Sequence, residues 1–174
     1  MSPRLILLRA TLFCALLTAS LCVFALPKAK EAAPRFNAKT LEGEKFTNES
    51  VKGKVVLLEF WTTWCVYCFE EAGLVDQINH EFRDKGLIVL AVDVAESKKT
   101  VKKYLEQHPR TSRIVLTDDT NLAAMYEATV YPIYVVIDRD GNIAGTQRGA
   151  AGEEALRDLL ASGGMESKEE SDTR

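Results

Sequence analysis

The sequence predicts one α/β domain built on a mixed central sheet flanked by helices, and three features of the chain predict it. Two runs, Val55–Trp61 and residues 87–92, are apolar on both faces, as strands covered by helices on each side are. Segments whose apolar residues recur at helical spacing alternate with these strands. The last two strands meet at Asp140-Gly141, a pair typical of tight hairpin turns. The sheet should therefore contain antiparallel as well as parallel strands.

The predicted elements follow one another without repeats or low-complexity interruptions. The turn chemistry of Glu42-Gly43 indicates a hairpin, Gly86 ends the first helix, and Ser97 suits the cap of the second. In chain order we expect a hairpin over 36–46, a strand over Val55–Trp61, a helix over 66–83 with Phe69 on its inward face, a strand over 87–92, a helix over 97–107, a short strand over 114–116, a short helix over 120–127, strands over Ile133–Ile137 and 143–146, and a helix over 153–160.

Both ends of the chain differ in composition from this domain. Residues 1–26 have the features of an export signal, because Arg4 and Arg9 precede an uncharged apolar run and Val23-Phe24-Ala25 fits the pattern before a cleavage site. The alternative is an uncleaved N-terminal membrane anchor, for which the apolar run is slightly short. Either alternative exports the folded part, to the periplasm or another extracytoplasmic space. We expect a linker over 27–34, the domain over 35–162 and a disordered polar tail over 163–174.

The composition limits the classes of partner and of chemistry. The chain has 174 residues and a formal net charge of -3, without the basic patch that nucleic-acid binding requires. Two of its four cysteines, Cys14 and Cys22, lie in the predicted export segment, so the domain keeps Cys65 and Cys68. A domain of this size with one cysteine pair is not a disulfide-dense scaffold. We therefore expect the pair to be chemical rather than architectural.

Cys65 and Cys68 stand where the first buried strand ends and the first helix begins. The free amide groups and the dipole of a helix start stabilise a thiolate on Cys65. The two-residue spacing lets Cys68 reach the first sulfur, so Cys65 can attack a disulfide of another protein and Cys68 can resolve the mixed disulfide. Two reduced core cysteines or half of a metal site are the alternatives. A zinc site needs four ligands, and the mature chain adds only His80 and His108.

The cysteines and their surroundings resemble the thioredoxin superfamily, in the branch that contains TlpA, ResA and the cytochrome c maturation thioredoxins. The resemblance covers about 33–162 and rests on Phe60-Trp61-Thr62-Thr63-Trp64-Cys65-Val66-Tyr67-Cys68, Gly53-Lys54-Val55-Val56-Leu57-Leu58, Tyr131-Pro132 and Ile137-Asp138-Arg139-Asp140-Gly141. It implies a thioredoxin fold that begins with a β-hairpin and carries an extra helix and strand near 97–116.

The resemblance also implies a binding surface for the substrate. In the proteins that this chain resembles, a cis proline, here Pro132, packs beside the cysteines, and backbone groups near Tyr131 hold the incoming polypeptide. Taken alone, Pro132 fits an ordinary turn before a strand. An exposed Trp64 beside the thiols would add a docking surface. The chain departs from the family at Ile133, where threonine is usual, and this affects partner contacts rather than thiol chemistry.

Two acids are candidates for assisting the thiols. Glu59 is the only charged residue of its strand, and an unpaired buried carboxylate is costly unless it takes up a proton, which would suit it to relay protons to Cys68. It also matches the buried acid of ordinary thioredoxins in position; the alternative is a carboxylate that reaches solvent. Glu71 lies one turn after Cys68, where ResA-type proteins carry an acid that assists the thiols. Alternatively, Glu70 and Glu71 together interact favourably with the positive end of the helix dipole and have no role in the chemistry.

These features predict a thiol–disulfide oxidoreductase, and the resemblance implies that it reduces disulfides of exported proteins, such as apocytochrome c or copper-site proteins. The resemblance implies electrons from a membrane thiol reductase, and we expect no cofactor and no metal ion. One alternative is a thiol peroxidase, because Thr62 to Cys65 contains Thr-x-x-Cys, although Leu58 stands where a peroxiredoxin motif has proline. Another is a non-enzymatic Cu(I) carrier that uses the two thiols as soft ligands.

Overall fold

A computed structural model describes residues 30–166 of the chain. The predicted export segment and most of the predicted tail lie outside the described residues. Within 30–166, no helix combines the length and the apolar composition needed to span a bilayer.

Seven strands form one mixed sheet, as the sequence predicts. The strands are β1 (Asn37–Thr40), β2 (Lys45–Thr47), β3 (Val55–Trp61), β4 (Leu87–Asp93), β5 (Arg113–Thr120), β6 (Ile133–Ile137) and β7 (Ile143–Arg148). Their order across the sheet is β2-β1-β5-β4-β3-β6-β7. Strands β3, β4 and β5 run parallel, whereas β6 is antiparallel to β3 and β7 is antiparallel to β6. The predicted N-terminal hairpin is β1–β2, and it joins the sheet through β5.

Strand β3 lies at the centre of the fold. All seven of its residues are buried, because β4 and β6 flank it and apolar side chains cover both of its faces. Its alternate side chains pack into separate clusters on opposite faces, as the two-residue period of a strand requires. Since β3 leads directly to Cys65, its packing determines where the cysteine pair lies.

Among residues 30–166 there are four α-helices, three of which connect strands while the fourth follows β7. They are α1 (Val66–Phe82), α2 (Lys98–Gln107), α3 (Leu122–Met125) and α4 (Gly152–Ser162). Helices α1 and α4 pack on one face of the sheet, and α3 lies on the other with the N-terminal segment around Phe36. Helix α2 begins as predicted, since the Ser97 hydroxyl accepts a hydrogen bond from the Thr100 amide. Gly86 closes the turn after α1 in a left-handed conformation.

The helix predicted over 120–127 is shorter in the structure. Thr120 still pairs with Ala38 as part of β5, which extends well beyond the predicted 114–116. At the other end, Glu127 has a left-handed backbone with φ of 48°, a conformation that cannot continue a helix. Only the single turn of α3 remains, because strand pairing competes with helix formation at its start.

The packed region extends beyond 35–162 at both ends. Before it, Ala32 forms a bridge with Asn142, and Lys30 forms an ion pair of 2.7 Å with Asp138. After it, Met165 is buried in the cluster shared by α1 and α4. Residues expected to be linker therefore pair with the turn between β6 and β7, and Met165 from the expected tail contributes to the core.

Candidate active site

Cys65 and Cys68 form a disulfide at the start of α1, with their Cα atoms 5.2 Å apart. Cys65 occupies the N-cap position, and the backbone amide of Cys68 donates a hydrogen bond to its sulfur over 3.1 Å. Cys65 is 8% exposed and Cys68 is 2% exposed. The more accessible sulfur is thus the one that the helix start can stabilise as a thiolate.

The loop before β6 lies beside this pair. The Tyr131–Pro132 peptide bond is cis, as the resemblance implied. The Tyr131 ring contacts the Trp64 ring edge-on, with centroids 5.8 Å apart, and its hydroxyl donates a hydrogen bond to the Ala128 carbonyl. This aromatic contact joins the segment around Cys65 and Cys68, the cysteine segment, to the loop around Pro132.

Large apolar side chains are exposed around the cysteines. Trp64 is 68% exposed, and Trp61, three residues earlier, is buried in the core as expected. The expectation that Phe69 faces inward is wrong, since Phe69 is 53% exposed and its ring contacts His108 instead. The other exposed apolar residues near these segments are Val66, Tyr67 and Val130. Their exposure gives the first turn of α1 an apolar surface.

Glu59 has a partner that the sequence analysis did not find. Its side chain is fully buried, and its Oε2 accepts a hydrogen bond from the Arg110 guanidinium over 2.7 Å. The expectation of an unpaired carboxylate, and the alternative of a carboxylate in solvent, are both wrong for this reason. The second oxygen, Oε1, has no hydrogen-bond partner among residues 30–166.

Arg110 is also buried, and it contacts more than Glu59. Its Nε lies 3.6 Å from Asp76 Oδ1, and its guanidinium carbon lies 5.7 Å from the centre of the Trp61 ring. Burial lowers the pKa of Arg110, but the carboxylates of Glu59 and Asp76 together raise it above its usual value. Arg110 is 51 residues from Glu59 in the chain, and no local pattern links the two.

Glu71 is buried and has donors on both oxygens. Its Oε1 accepts hydrogen bonds from the amides of Ala151 at 2.8 Å and Gly152 at 2.6 Å, where α4 begins. Its Oε2 accepts a hydrogen bond from the Tyr134 hydroxyl at 2.8 Å. Burial, with the carboxylates of Glu59 and Glu71 nearby, raises the pKa of Tyr134, so the phenol stays neutral and can donate. Glu71 therefore ties α1 to α4 and to β6.

A third buried acid, Asp93, was not predicted as a site residue. It ends β4 and pairs in register with Trp61 of β3, just before the cysteine segment. Neither of its carboxyl oxygens has a hydrogen-bond partner within the described part of the chain. Burial, helped by the Glu96 carboxylate, raises the pKa of Asp93 to about 8. The sequence feature that could have identified Asp93 is its position as the last residue, and the one charged residue, of an otherwise apolar strand.

The cysteine segment is also held by Glu96. Its two carboxylate oxygens accept hydrogen bonds from the backbone amide and the hydroxyl of Thr63, each over 2.6 Å. Thr63 lies two residues before Cys65, so the loop after β4 restrains the approach to α1. The site thus combines a redox-capable cysteine pair, an apolar rim and three buried acids in three different environments.

Comparisons with known proteins agree with this geometry. The profile of the AhpC/TSA family matches residues 29–146, which include both cysteines. The thiol-disulfide oxidoreductase ResA of Bacillus cereus is 30% identical over 128 residues, which cover 74% of this chain and 74% of the relative. The thioredoxin-like protein YneN of Bacillus subtilis is 36% identical over 116 residues, which cover 65% of this chain and 67% of the relative.

Solved structures share the same fold. A protein assigned as the thiol:disulfide interchange protein DsbE of Chlorobium tepidum superposes with a TM-score of 0.69 and 26% identity, and the match covers 76% of this chain and 96% of that one. StoA of Bacillus subtilis superposes with a TM-score of 0.63 and 24% identity, covering 74% and 98% of the two chains. The α/β sandwich with a mixed sheet is therefore a thioredoxin fold.

The buried ion pair predicts a large effect of removing one partner. Arg110→Met should lower the free energy of unfolding by about 3–5 kcal/mol, because it leaves the Glu59 carboxylate buried without a cation. Replacing both residues with leucine should recover much of the loss, since an apolar pair has no charge to desolvate. Urea unfolding of the three proteins measures both effects.

Arg113→Met is the matched control. Arg113 forms an ion pair of 3.1 Å with Glu44, but both side chains are partly exposed. Its loss should cost less than about 1 kcal/mol. Equal costs for the Arg110 and Arg113 variants would contradict the importance of burial.

Proposed function

The chain belongs to the AhpC/TSA family and is a thiol–disulfide oxidoreductase with a thioredoxin fold, and from this premise we propose that it reduces disulfide bonds of exported proteins. One observation carries the proposal: Cys65 caps α1 and is the more exposed cysteine of the pair, and the more deeply buried Cys68 forms a disulfide with it. The first can capture a target, and the second can release it.

The proposed reaction moves two electrons to the target. The Cys65 thiolate attacks one sulfur of a target disulfide; the target S–S bond breaks, a Cys65–target disulfide forms, and the leaving target thiolate takes up a proton. The Cys68 thiolate then attacks the Cys65 sulfur and forms the internal disulfide. The second target thiolate leaves and is protonated. A thiol reductase must return two electrons to the Cys65–Cys68 disulfide before the next cycle.

We propose that the target docks on the apolar surface beside the cysteines. Trp64 supplies an exposed aromatic face, and its contact with Tyr131 brings the Pro132 loop next to it. Backbone groups near Pro132 can hold an extended segment of the target, while Trp64 covers its apolar side chains. Ile133 is buried in β6, so the target meets the loop rather than this side chain.

The proposed targets and donor follow from the predicted export segment at 1–26. A domain delivered outside the cytoplasm meets secreted or membrane-attached proteins whose cysteines readily form disulfides. Apocytochrome c and copper-site proteins are targets of this kind, since their thiols must be reduced before they bind haem or metal. A membrane thiol reductase is the proposed donor, with the chain either released in the periplasm or anchored by its N-terminus.

Glu59 and Glu71 are proposed to assist the thiols in different ways. The free Oε1 of Glu59 is a buried acceptor on the strand that leads to the cysteines, and it can take the proton that Cys68 loses before it attacks. Glu71 has donors on both oxygens, so its proposed effect on the thiols is exerted through its charge and its position one turn after Cys68.

Trapping variants test the order of attack. Cys68→Ser should accumulate mixed disulfides with target proteins, because the captured target cannot be displaced. Cys65→Ser should capture none, since the remaining thiol is almost completely buried. Non-reducing electrophoresis of the exported fraction measures both. Equal capture by the two variants would contradict the assigned order, and rapid peroxide consumption by the purified protein would favour the peroxidase alternative.

The reduction potential tests the direction of electron flow. As a reductant, the Cys65–Cys68 pair should have a potential below about -230 mV, more reducing than glutaredoxins. Equilibration with glutathione or dithiothreitol buffers, followed by thiol alkylation, gives this value. A potential near the roughly -120 mV of DsbA would make the protein an oxidant and reverse the proposed flow.

The proton-relay role of Glu59 has its own test. Glu59→Gln should slow resolution of a preformed mixed disulfide by about 100-fold, the lower end of what a positioned general base contributes. Rapid quenching with acid and mass spectrometry measure this step. Glu44→Gln removes an exposed carboxylate of the Glu44–Arg113 pair and should leave the rate unchanged. A Glu59→Gln protein that resolves at the normal rate at every pH would rule out the relay.

A further inference from the structure

Asp93 differs from the other two buried acids because its neighbour is another carboxyl group, that of Glu96, rather than a cation or a set of donors. Glu59 is paired with Arg110, and Glu71 accepts three hydrogen bonds. Asp93 is 0% exposed, and neither carboxyl oxygen has a partner among residues 30–166. An ionised carboxylate is very costly in such a position, whereas a protonated carboxyl is much less so.

Asp93 lies beside the cysteine cluster. Residues two apart on a strand share a face, so Asp93 points to the same side of the sheet as Ala91. Ala91 packs in the cluster that contains Trp61, Cys65 and Cys68. Because Asp93 pairs in register with Trp61, it stands at the end of the sheet from which the cysteine segment leaves.

Glu96 connects Asp93 to this segment. Its carboxylate accepts hydrogen bonds from the Thr63 amide and hydroxyl, and these two hydrogen bonds form the Thr63 clamp. The same carboxylate is the charge that acts on Asp93. A second negative charge on Asp93 would therefore repel the group that holds Thr63.

The titratable groups around Asp93 come from several elements. Glu96 lies on the loop after β4, and Tyr131, whose pKa is raised by burial and then by Asp93, lies on the loop before β6. On β3, Glu59 is opposite Ala91 and is already paired with Arg110 from the loop after α2. From β5, only the neutral Thr117 hydroxyl donates to Asp93, and it does so to the backbone carbonyl. None of these contacts supplies a cation to the Asp93 carboxyl.

We propose that Asp93 is protonated in the working protein and that its neutrality keeps the Thr63 clamp closed, which makes Asp93 a positioning residue for disulfide exchange at Cys65. The inference rests on the proposed function, because it concerns the same cysteine. Loss of the proton places two carboxylates side by side, loosens the hold of Glu96 on Thr63 and adds a negative charge near the Cys65 thiolate. Each of these effects lowers the reactivity of Cys65.

The test is the pH dependence of Cys65 reactivity in the full chain. The rate constant of the reduced protein with a disulfide-bonded model peptide is measured for the wild type and for Asp93→Asn, which cannot ionise. The ratio of the Asp93→Asn rate constant to the wild-type rate constant should rise by about ten-fold as pH increases through 8, the factor for one pKa unit of coupling. Glu96→Gln keeps an acceptor for Thr63 but removes the repelling charge. The ratio of its rate constant to the wild-type rate constant should therefore also rise as pH increases through 8.

Asp138→Asn is the matched control. Asp138 is also buried, but it lies after β6, at the end of the sheet away from the cysteines, and is paired with Lys30. The ratio of the Asp138→Asn rate constant to the wild-type rate constant should stay constant over the same pH range. A flat ratio for Asp93→Asn, or an equal rise for Asp138→Asn, would overturn the proposal.

A spectroscopic measurement separates this inference from the proposed function. Infrared titration of the wild type should show the carbonyl band of a protonated carboxyl that disappears near pH 8, and the band should be absent in Asp93→Asn. This readout needs neither a target nor activity, and it remains available if the variant folds poorly. A missing band would refute the proton on Asp93, whereas a failure of Cys68→Ser to capture targets would refute the proposed function alone.

Discussion

The site depends on the complete burial of β3. A slip of one residue along this strand would turn every one of its side chains to the opposite face, so its packing between β4 and β6 fixes the register. That register places Glu59 opposite Ala91 and Tyr134, and it places Trp61 opposite Asp93. It also determines where the chain leaves the sheet, and hence where Cys65 caps α1.

Three buried acids lie near the cysteines, and burial makes the negative charge of each one costly. Each acid has a different form of compensation. A carboxylate in a site of low polarity needs a cation, several donors or a proton. Glu59 has the Arg110 guanidinium, and Glu71 has two amides and a phenol. Asp93 has neither a cation nor a hydrogen-bond donor on its carboxyl oxygens among residues 30–166, which leaves the proton that we propose for it. The three acids differ in how their charge is compensated. This difference follows from their partners rather than from their depth, since all three are buried.

The sequence was informative where the signal is local. The alternation of strands and helices, the Ser97 cap and the cysteine pair at a strand-to-helix junction all depend on neighbours in the chain, and the structure contains each of them. Partners that are distant in sequence were missed. Arg110 meets Glu59 only because α2 and the loop after it pack near the end of β3. Spacing also failed at Phe69, since the buried face of α1 starts at Cys68 and continues through Val75 and Ile78, and Phe69 lies off this face.

The partners of these acids bear directly on the thiolate. A negative charge near Cys65 opposes its ionisation, and three uncompensated carboxylates around one cysteine pair would work against a reactive thiol. The Arg110 guanidinium balances Glu59, and the amides at the start of α4 and the Tyr134 hydroxyl offset the charge of Glu71. If Asp93 is protonated, the buried acids add little net negative charge at neutral pH, and the start of α1 can stabilise the Cys65 thiolate unopposed. The fold can thus keep acids beside the cysteines without suppressing the nucleophile.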